Sequence, residues 1–273
     1  MKKALLIGHG RFGKILFEKL QKLAEVEITT RNWREKLLGK DWVVVATPVA
    51  SHAEITQECL EKGFNVFTEK PLNENPDKVQ ALTKLAKIKN KNLYVDDVFL
   101  WRPEYKYIKS LGVTISEISF RMTKYGTFDD SLLSAHIYHD LYMLVDLTNF
   151  APISNIEIIK AECPLEPGRI DVLEFSLTAG EIRVHASYDR TQEVKQKSIA
   201  INKNIVWQDK SLTINDARVT LPEQDAISSM LEAVLSEKAD FAYNNKLAFE
   251  ATHLMDRLRK VLQNIALEST LTT

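Results

Sequence analysis

The chain has 273 residues, of which 45% are hydrophobic and 27% charged, and its 36 basic and 37 acidic side chains give a formal net charge of −1 at pH 7. Charges of both signs are mixed along the chain, a pattern that excludes the basic surfaces typical of nucleic-acid or membrane partners. No apolar run approaches the roughly 20 residues of a membrane span. The run behind the N-terminal Met-Lys-Lys is only about five residues long, too short for a signal peptide. Because Cys59 and Cys163 are isolated, as is typical of a reducing compartment, we expect a cytoplasmic protein.

A G-x-G-x-x-G turn follows the first apolar run. Residues 4–7 predict a buried strand, and residues 12–23 predict a helix with Ile15, Leu16 and Leu20 on one face. A strand, a glycine turn and a helix N-terminus form a pyrophosphate site, where the free N–H groups of the helix start face the anion. The turn residues expected to hold a dinucleotide are Gly8, His9, Gly10, Arg11, Phe12 and Gly13. The alternative is a structural turn in another α/β domain.

Strand and helix patterns alternate over the first part of the chain. Strands are predicted at residues 26–30, 42–47, 65–68 and 93–98, and helices at 51–62, with Ser51 as N-cap, and 76–88. Only residues 32–40 connect the second and third strands, room for about two helical turns, whereas a full crossover needs a dozen or more residues. This alternation predicts a parallel sheet covered on both faces.

After about residue 112 the rhythm changes. Strands are predicted at residues 115–122, 156–163, 171–177, 181–188, 195–202 and 205–208, and helices at 131–147, 224–237 and 246–265. Residues 181–186 alternate clearly between polar and apolar, so one sheet face is expected to be wet. We therefore predict an α/β protein with a Rossmann dinucleotide-binding domain over residues 1–111. An α+β domain with a mostly antiparallel open sheet follows over residues 112–273, for substrate binding and oligomerisation.

The end of the second strand bears on the choice of cofactor. NAD enzymes usually place an acidic residue there to bind the ribose hydroxyls, whereas NADP enzymes often place an arginine nearby. Here the strand ends in Thr30 and Arg31, with Arg34 and Lys36 following, and no acidic residue is present. Arg31 can hold a 2′-phosphate through a forked contact. We expect NADP as the preferred cofactor and NAD as the other possibility; the alternative is that these basic residues are merely solvated.

Two further segments follow strands at the sheet edge where such folds bind ligands. Thr47, Pro48 and His52 follow the third strand and can line the cofactor site, or form an ordinary strand-to-helix loop. Glu69 and Lys70 follow the fourth strand and precede a proline. A lysine there can orient a hydroxyl or carbonyl and stabilise developing negative charge. The alternative is a solvated surface pair.

The helix predicted at residues 131–147 carries His136, His139 and Asp140, spaced to share one face. A histidine near a nicotinamide can shuttle the substrate proton. Core histidines satisfied by their helix neighbours are the alternative. We expect no metal, because no other His or Cys cluster supplies further ligands.

Together these segments resemble the Gfo/Idh/MocA family, of the glucose–fructose oxidoreductase and inositol dehydrogenase type. The resemblance rests on the order and spacing of five motifs: Gly8-x-Gly10-x-x-Gly13, Ala46-Thr47-Pro48 with His52, Glu69-Lys70-Pro71, Phe99-Leu100-Trp101-Arg102-Pro103, and His139-Asp140-Leu141. It implies a Rossmann domain with an open antiparallel sheet domain, a bound NAD(P), and hydride transfer at a hydroxyl carbon of a sugar, cyclitol or related polyol. A homodimer or homotetramer is also implied, which would cover the exposed sheet face.

The resemblance also implies residue roles. Lys70 would be the catalytic lysine that contacts the reacting oxygen, and His139 the catalytic histidine that donates or accepts the proton. The family aspartate four residues before that histidine is Ala135 here. His136 beside it, or Asp140, would then support the proton transfer. The alternatives are a dinucleotide-binding regulator without turnover, and non-redox chemistry through transient oxidation by a tightly held cofactor.

Overall fold

The computed structural model describes residues 1–126 and 131–271, and side chains as far as residue 264. The chain divides into two compact units, Met1–Arg102 with Gln224–His253, and Pro103–Glu223 with Leu254–Thr273. The division therefore differs from the one predicted at residues 111/112, since a late segment returns to the first unit. Apolar packing accounts for this return. Met230, Leu231 and Val234 of the late segment lie in one hydrophobic cluster with Leu6 and Val44 of the N-terminal strands.

The first unit is built on a parallel sheet. Its strands are β1 (Lys3–Ile7), β2 (Glu25–Thr29), β3 (Trp42–Val45), β4 (Asn65–Thr68) and β5 (Leu93–Val95), in the order β2-β1-β3-β4-β5. Its helices are α1 (Arg11–Leu20), α2 (Val49–Glu61), α3 (Pro76–Ile88) and α6 (Ala226–Leu235), with the first part of α7 (Phe241–Leu271). Short 3₁₀ turns lie at Trp33–Lys36 and Val98–Trp101.

Both faces of this sheet are covered by helices. Successive strand residues point to opposite faces, and both sets of side chains are apolar and buried. Leu5 and Val43 join the cluster formed with α2 and α3, whereas Leu6 and Val44 join the cluster formed with α1 and α6. The carboxyl ends of all five strands meet at one edge, where ligands of such sheets bind. The 3₁₀ turn Trp33–Lys36 confirms that the connection between β2 and β3 is too short for a full crossover helix.

The second unit contains an eight-stranded sheet. Its strands are β6 (Glu117–Thr123), β7 (Ile153–Glu162), β8 (Val172–Ala179), β9 (Ile182–Asp189), β10 (Gln196–Ile201), β11 (Ile205–Gln208), β12 (Ser211–Ile214) and β13 (Ala217–Val219). Their order is β13-β12-β11-β10-β6-β9-β8-β7, and every pair is antiparallel except β6 with β9. The predicted fold class, a Rossmann domain with a mostly antiparallel second sheet, is confirmed.

The helices of the second unit differ from the prediction in detail. The segment predicted as one helix is a π-helical turn, Leu133–Ile137, followed by α5 (Tyr138–Leu147). A further helix, α4 (Pro103–Ser110), and the last two strands were not predicted.

In the first unit, α2 begins at Val49 after Pro48, so the prediction of Ser51 as N-cap is wrong. The Ser51 hydroxyl lies inside the first turn of the helix, 2.8 Å from the carbonyl oxygen of Pro48. No helix in the described part of the chain is long and apolar enough to cross a membrane.

One face of the second sheet is apolar and the other polar. Inward-facing residues such as Phe120, Phe175 and Val184 are buried, while Arg183 and His185, on the opposite face of β9, are exposed. The predicted alternation in residues 181–186 is therefore confirmed. The outward side chains along β6, β8 and β9 are mainly hydroxylic or charged: Glu117, Ser119, Arg121, Ser176, Thr178, Arg183 and His185.

Candidate active site

The glycine turn is shaped by close backbone approach at two positions. Gly8 has φ +108°, and a Cβ there would lie 2.2 Å from the carbonyl oxygen of Ala46 at the end of β3. A Cβ on Gly13 would lie 2.5 Å from the carbonyl oxygen of Gly8. Only glycine fits either position without moving backbone. The turn therefore presses α1 against the end of the sheet, as the sequence pattern predicts.

The start of α1 fits an anion. The backbone N–H groups of the first turn have no partner within the helix, and the first turn holds no acidic side chain. A Cβ on Gly10 would meet no protein atom within 4 Å, so the backbone is open to a ligand at this point. His9 and Arg11 are exposed beside it, and Phe12 is half-buried. These residues can hold the pyrophosphate of NAD(P).

The end of β2 leaves one arginine for a ligand. Arg34 is held by Glu58, with its Nη2 2.6 Å from a carboxylate oxygen, and Lys36 lies 3.1 Å from Glu27. Arg31 and Thr30 are exposed, and among the described residues Arg31 forms no ion pair. Of the three basic residues at this strand end, Arg31 is therefore the one whose guanidinium is available to a phosphate.

The loop after β3 is tied to the loop after β4 by a buried histidine. His52 is 1% exposed, with Nδ1 2.9 Å from the carbonyl oxygen of Pro71 and Nε2 2.7 Å from that of Thr47. The Thr47 hydroxyl accepts a hydrogen bond from Ser51 at 2.8 Å. Both ring nitrogens of His52 thus face backbone carbonyls. This geometry lets His52 hold the two loops together, and its place in the cofactor site stays a prediction.

Beside Lys70, two carboxyl groups lie side by side. β4 and β5 pair with Thr68 opposite Val95, so Glu69 and Asp96 are the next residues on adjacent strands. Burial, reinforced by the charge of Asp96, raises the pKa of Glu69 well above its ordinary value. Burial also raises the pKa of Asp96, although its hydrogen bond with Glu69 opposes that rise. Two carboxyls this close disfavour a second negative charge, whereas the Lys70 ammonium lowers the pKa of both and so opposes the rise.

A third carboxyl group, that of Asp97, supports this strand end. Asp97 accepts hydrogen bonds from the Tyr94 hydroxyl at 2.6 Å, the Trp101 indole at 3.0 Å and the Asn244 amide at 3.1 Å. Asn244 also bonds the backbone N–H and C=O of Val95, each at 2.8 Å. Burial raises the pKa of Asp97 to about 7 despite these donors. Asp97 therefore anchors the segment that carries Asp96.

In the second unit, His139 is held by a neighbour that the sequence did not indicate. Its Nδ1 lies 3.1 Å from the hydroxyl of Tyr142, and the two rings meet edge to face with centroids 5.7 Å apart. Tyr142 is 2% exposed, while His139 is half-buried. Three-residue spacing on α5 places both on one face. His136 and Ala135 lie in the preceding π-helical turn and are also half-buried.

Asp140, predicted as a possible support for the proton transfer, lies in a buried ion pair. It is 2% exposed, and its carboxylate lies 2.7 Å from Nζ of Lys197 on β10 and 3.0 Å from the hydroxyl of Tyr188 on β9. This buried ion pair fixes α5 on the inner face of the sheet. Neither Tyr142 nor the pairing of Glu69 with Asp96 was predicted from the sequence. Two consecutive acidic residues directly after β5 were the available signal for that pair.

The described residues contain no group of three His, Cys, Asp or Glu side chains that could bind a metal ion. Both cysteines are free thiols, with Cys59 buried in the first unit and Cys163 exposed.

Comparison with known proteins agrees with this geometry. Residues 17–97 match the model of the GFO_IDH_MocA oxidoreductase family, NAD-binding Rossmann fold. Curated protein sequences give no match.

Three solved structures illustrate the shared fold. UDP-N-acetylglucosamine 3-dehydrogenase GnnA from Acidithiobacillus ferrooxidans superposes with a TM-score of 0.86 at 15% identity, covering 94% of this chain and 96% of that one. The dehydrogenase MviM from Clostridium difficile gives 0.75 at 19% identity, covering 95% and 99%. Biliverdin reductase from Synechocystis sp. PCC 6803, solved with biliverdin and NADP+, gives 0.76 at 13% identity, covering 94% and 98%. The predicted resemblance to the Gfo/Idh/MocA oxidoreductase family is therefore supported over residues 17–97, and the solved structures share the fold of the whole chain.

Proposed function

We propose that this protein is an NADP-preferring oxidoreductase. It interconverts a secondary alcohol and a ketone on a sugar, cyclitol or sugar-nucleotide-like substrate. The observation that carries the proposal is the arrangement after β4, where Lys70 follows a half-buried Glu69 that lies beside the buried Asp96, at the same sheet edge as the glycine turn. This edge is where a nicotinamide would bind in such a sheet.

The glycine turn and the start of α1 would hold the pyrophosphate, and Thr47 and Pro48 would line the nicotinamide side. The bound nicotinamide donates or accepts the hydride. Lys70 polarises the substrate oxygen and stabilises the negative charge that develops there. Glu69 and Asp96 lie close enough to the Lys70 ammonium for its charge to lower the pKa of both carboxyls, so the pair can offset the charge of Lys70. His139 gives or takes the hydroxyl proton.

The substrate class rests on family resemblance and on the name of one neighbour, GnnA, which is a dehydrogenase of a UDP-sugar. The cofactor preference rests on Arg31, since Arg34 and Lys36 are already paired with carboxylates. The biliverdin reductase structure shows that an NADP+ complex occurs in this fold.

Calorimetric titration with NADPH and NADH tests the cofactor assignment. We expect NADPH to bind at least tenfold more tightly, since one charge-assisted contact is worth roughly 1.5–3 kcal/mol. Arg31→Ala should remove most of that difference and leave NADH binding unchanged. Arg34→Ala, whose guanidinium is held by Glu58, is the matched control and should keep the preference. Tighter NADH binding would overturn the NADP assignment, and binding of neither would overturn the oxidoreductase assignment.

Turnover is tested by screening sugars, cyclitols and sugar nucleotides for nicotinamide oxidation or reduction. Lys70→Met should lower kcat by roughly 10²-fold or more, as expected for loss of electrostatic stabilisation at a reacting oxygen. Lys84→Met changes an exposed lysine on α3 of the same unit and should have little effect.

A second candidate function follows from Ala135, which leaves the histidine without the family carboxylate. A binding protein without turnover would bind NADPH but convert no substrate. If Ala135 limits the rate, Ala135→Asp should increase it. An unchanged rate would mean that the chain supports its histidine in another way.

We also propose a homodimer or homotetramer, on the family resemblance alone. The exposed face of the second sheet does not add support as an apolar surface that an oligomer would bury, because its outward residues along β6, β8 and β9 are polar. Light scattering coupled to size-exclusion chromatography would measure the assembled mass, and a monomer would contradict the proposal.

A further inference from the structure

The residue that orients the proposed proton carrier is visible in the second unit. The family carboxylate is absent at Ala135, and Asp140 is paired with Lys197 and Tyr188 in the core. A different side chain meets the ring of His139. The side chain that meets its Nδ1 is the buried Tyr142, at 3.1 Å.

Building on the proposed function, we propose that Tyr142 is the positioning residue of His139: its hydroxyl oxygen accepts a hydrogen bond from Nδ1–H and so leaves Nε2 to exchange the substrate proton. The edge-to-face contact of the two rings, with centroids 5.7 Å apart, restrains the imidazole in the same orientation. A second aromatic contact, with Tyr138 at 6.1 Å, holds Tyr142 in turn.

The chemistry balances in both directions. In oxidation, Nε2 of neutral His139 takes the hydroxyl proton, the C–H bond breaks and its electron pair leaves as hydride to the oxidised nicotinamide, and a C=O bond forms. In reduction, hydride from the reduced nicotinamide adds to the carbonyl carbon and the oxygen takes the proton from Nε2 of the imidazolium. Nδ1 keeps its proton throughout, and the hydroxyl oxygen of Tyr142 accepts a hydrogen bond from it in both directions of the reaction.

A tyrosine differs from a carboxylate at this position. A carboxylate accepts from Nδ1–H and also stabilises the imidazolium by its charge, whereas a neutral hydroxyl supplies only the hydrogen bond. A hydroxyl can also donate, so the proposal specifically requires Tyr142 to accept from Nδ1–H, which would favour this tautomer of His139 without adding a negative charge to the site.

The test is nitrogen NMR of the protein labelled with ¹⁵N-histidine, with the His139 signals identified by their loss in His139→Asn. In the wild type, neutral His139 is expected as the Nδ1–H tautomer. Tyr142→Phe keeps the ring contacts and removes the hydroxyl, so the tautomer equilibrium should shift toward Nε2–H. Tyr105→Phe is the matched control, because it removes another buried hydroxyl that bonds α5, at Asp146 and Met143, and should leave the His139 signals unchanged.

Two results would overturn the proposal: a wild-type His139 in the Nε2–H form, or identical His139 signals in the wild type and Tyr142→Phe. This measurement needs no turnover, so it remains decisive even if no substrate is converted and the proposed function fails. Where a substrate is found, Tyr142→Phe should lower kcat about tenfold with little change in KM, a part of the 10²–10⁴-fold that general acid–base catalysis supplies. A KM increase at unchanged kcat would instead indicate a substrate-binding role and contradict the positioning role.

Discussion

His52 bonds the carbonyl oxygen of Pro71 at 2.9 Å, across the space between the loops that follow β3 and β4. Its other ring nitrogen faces the carbonyl of Thr47 at 2.7 Å. A neutral imidazole donates to one of these carbonyls at a time, and a protonated one to both. The loop that carries Thr47 and the loop that carries Lys70 are therefore positioned by the same side chain.

Replacing His52 with leucine should weaken both the fold and cofactor binding. The substitution keeps an apolar group of similar size but leaves two carbonyl groups without this partner, at a cost of roughly 1–3 kcal/mol for a buried group. We expect lower urea stability and about tenfold weaker NADPH binding, because loop placement contributes to the site. His253→Leu changes an exposed histidine of the same unit and serves as the control. NADPH binding as tight as in the wild type would show that the loops hold their positions without His52.

Gly10→Ala should separate folding from cofactor binding. A Cβ at this position meets no protein atom within 4 Å, so the thermal stability should change little. The methyl group would occupy the space through which a pyrophosphate approaches the backbone, and we expect at least tenfold weaker NADPH binding. Calorimetry and thermal unfolding measure the two effects separately.

Gly13→Ala is the informative companion variant. Its Cβ would lie 2.5 Å from the Gly8 carbonyl oxygen, so this change should destabilise the fold itself. Equal stability losses in both glycine variants, or unchanged NADPH affinity in Gly10→Ala, would contradict the assignment of Gly10 to the pyrophosphate.

Glutamine should replace Glu69 better than alanine does. Because burial and Asp96 raise the pKa of Glu69 well above its ordinary value, Glu69 is the more readily protonated of the two carboxyls, and a glutamine amide can likewise donate a hydrogen bond to Asp96. Glu69→Ala leaves the buried Asp96 carboxylate without that donor, and should cost roughly 2–3 kcal/mol of unfolding free energy, against less than about 1 kcal/mol for Glu69→Gln. Urea unfolding at pH 7 measures both values. If the two variants lose the same stability, Glu69 is not the donor to Asp96.

The sequence pattern predicted those features that depend on neighbouring residues. The strand Asn65–Thr68 and the helix Pro76–Ile88 have the predicted bounds, since each is set by a local apolar run and local end signals. The glycine turn could likewise be predicted from the sequence, because close backbone contacts at Gly8 and Gly13 exclude any larger residue.

Features that depend on contacts between distant residues could not be predicted from the local sequence pattern. Asp97 is bonded by Asn244, 147 positions later, and Asp140 by Tyr188, 48 positions later. Nothing in the local pattern distinguishes such aspartates from solvated ones. The return of residues 224–253 to the first unit is another long-range effect, decided by which apolar surface a helix covers.

The pH dependence of stability should reveal Asp97. Its pKa is raised to about 7 in the folded protein by burial, from an ordinary value of 3.8. Below pH 4 the carboxyl is protonated in the folded and unfolded states alike. As the pH rises toward 7, the unfolded chain releases this proton while the folded protein retains it, so the unfolding free energy falls; above pH 7 the loss is complete.

Asp97→Asn removes this titration and should make the variant less sensitive to pH. The unfolding free energy of the wild type relative to Asp97→Asn should therefore decrease between pH 4 and pH 8, by roughly 4 kcal/mol at about 1.4 kcal/mol per pKa unit. Urea unfolding of both proteins at several pH values measures the difference between their unfolding free energies. Because both proteins contain Glu69 and Asp96, the titration of these two carboxyls largely cancels in that difference. Tyr94→Phe removes a donor that lowers the pKa of Asp97, so in that variant the loss of stability should extend to higher pH. A difference between wild type and Asp97→Asn that stays constant over the range would mean that Asp97 is ionised throughout and is fully stabilised by its three donors.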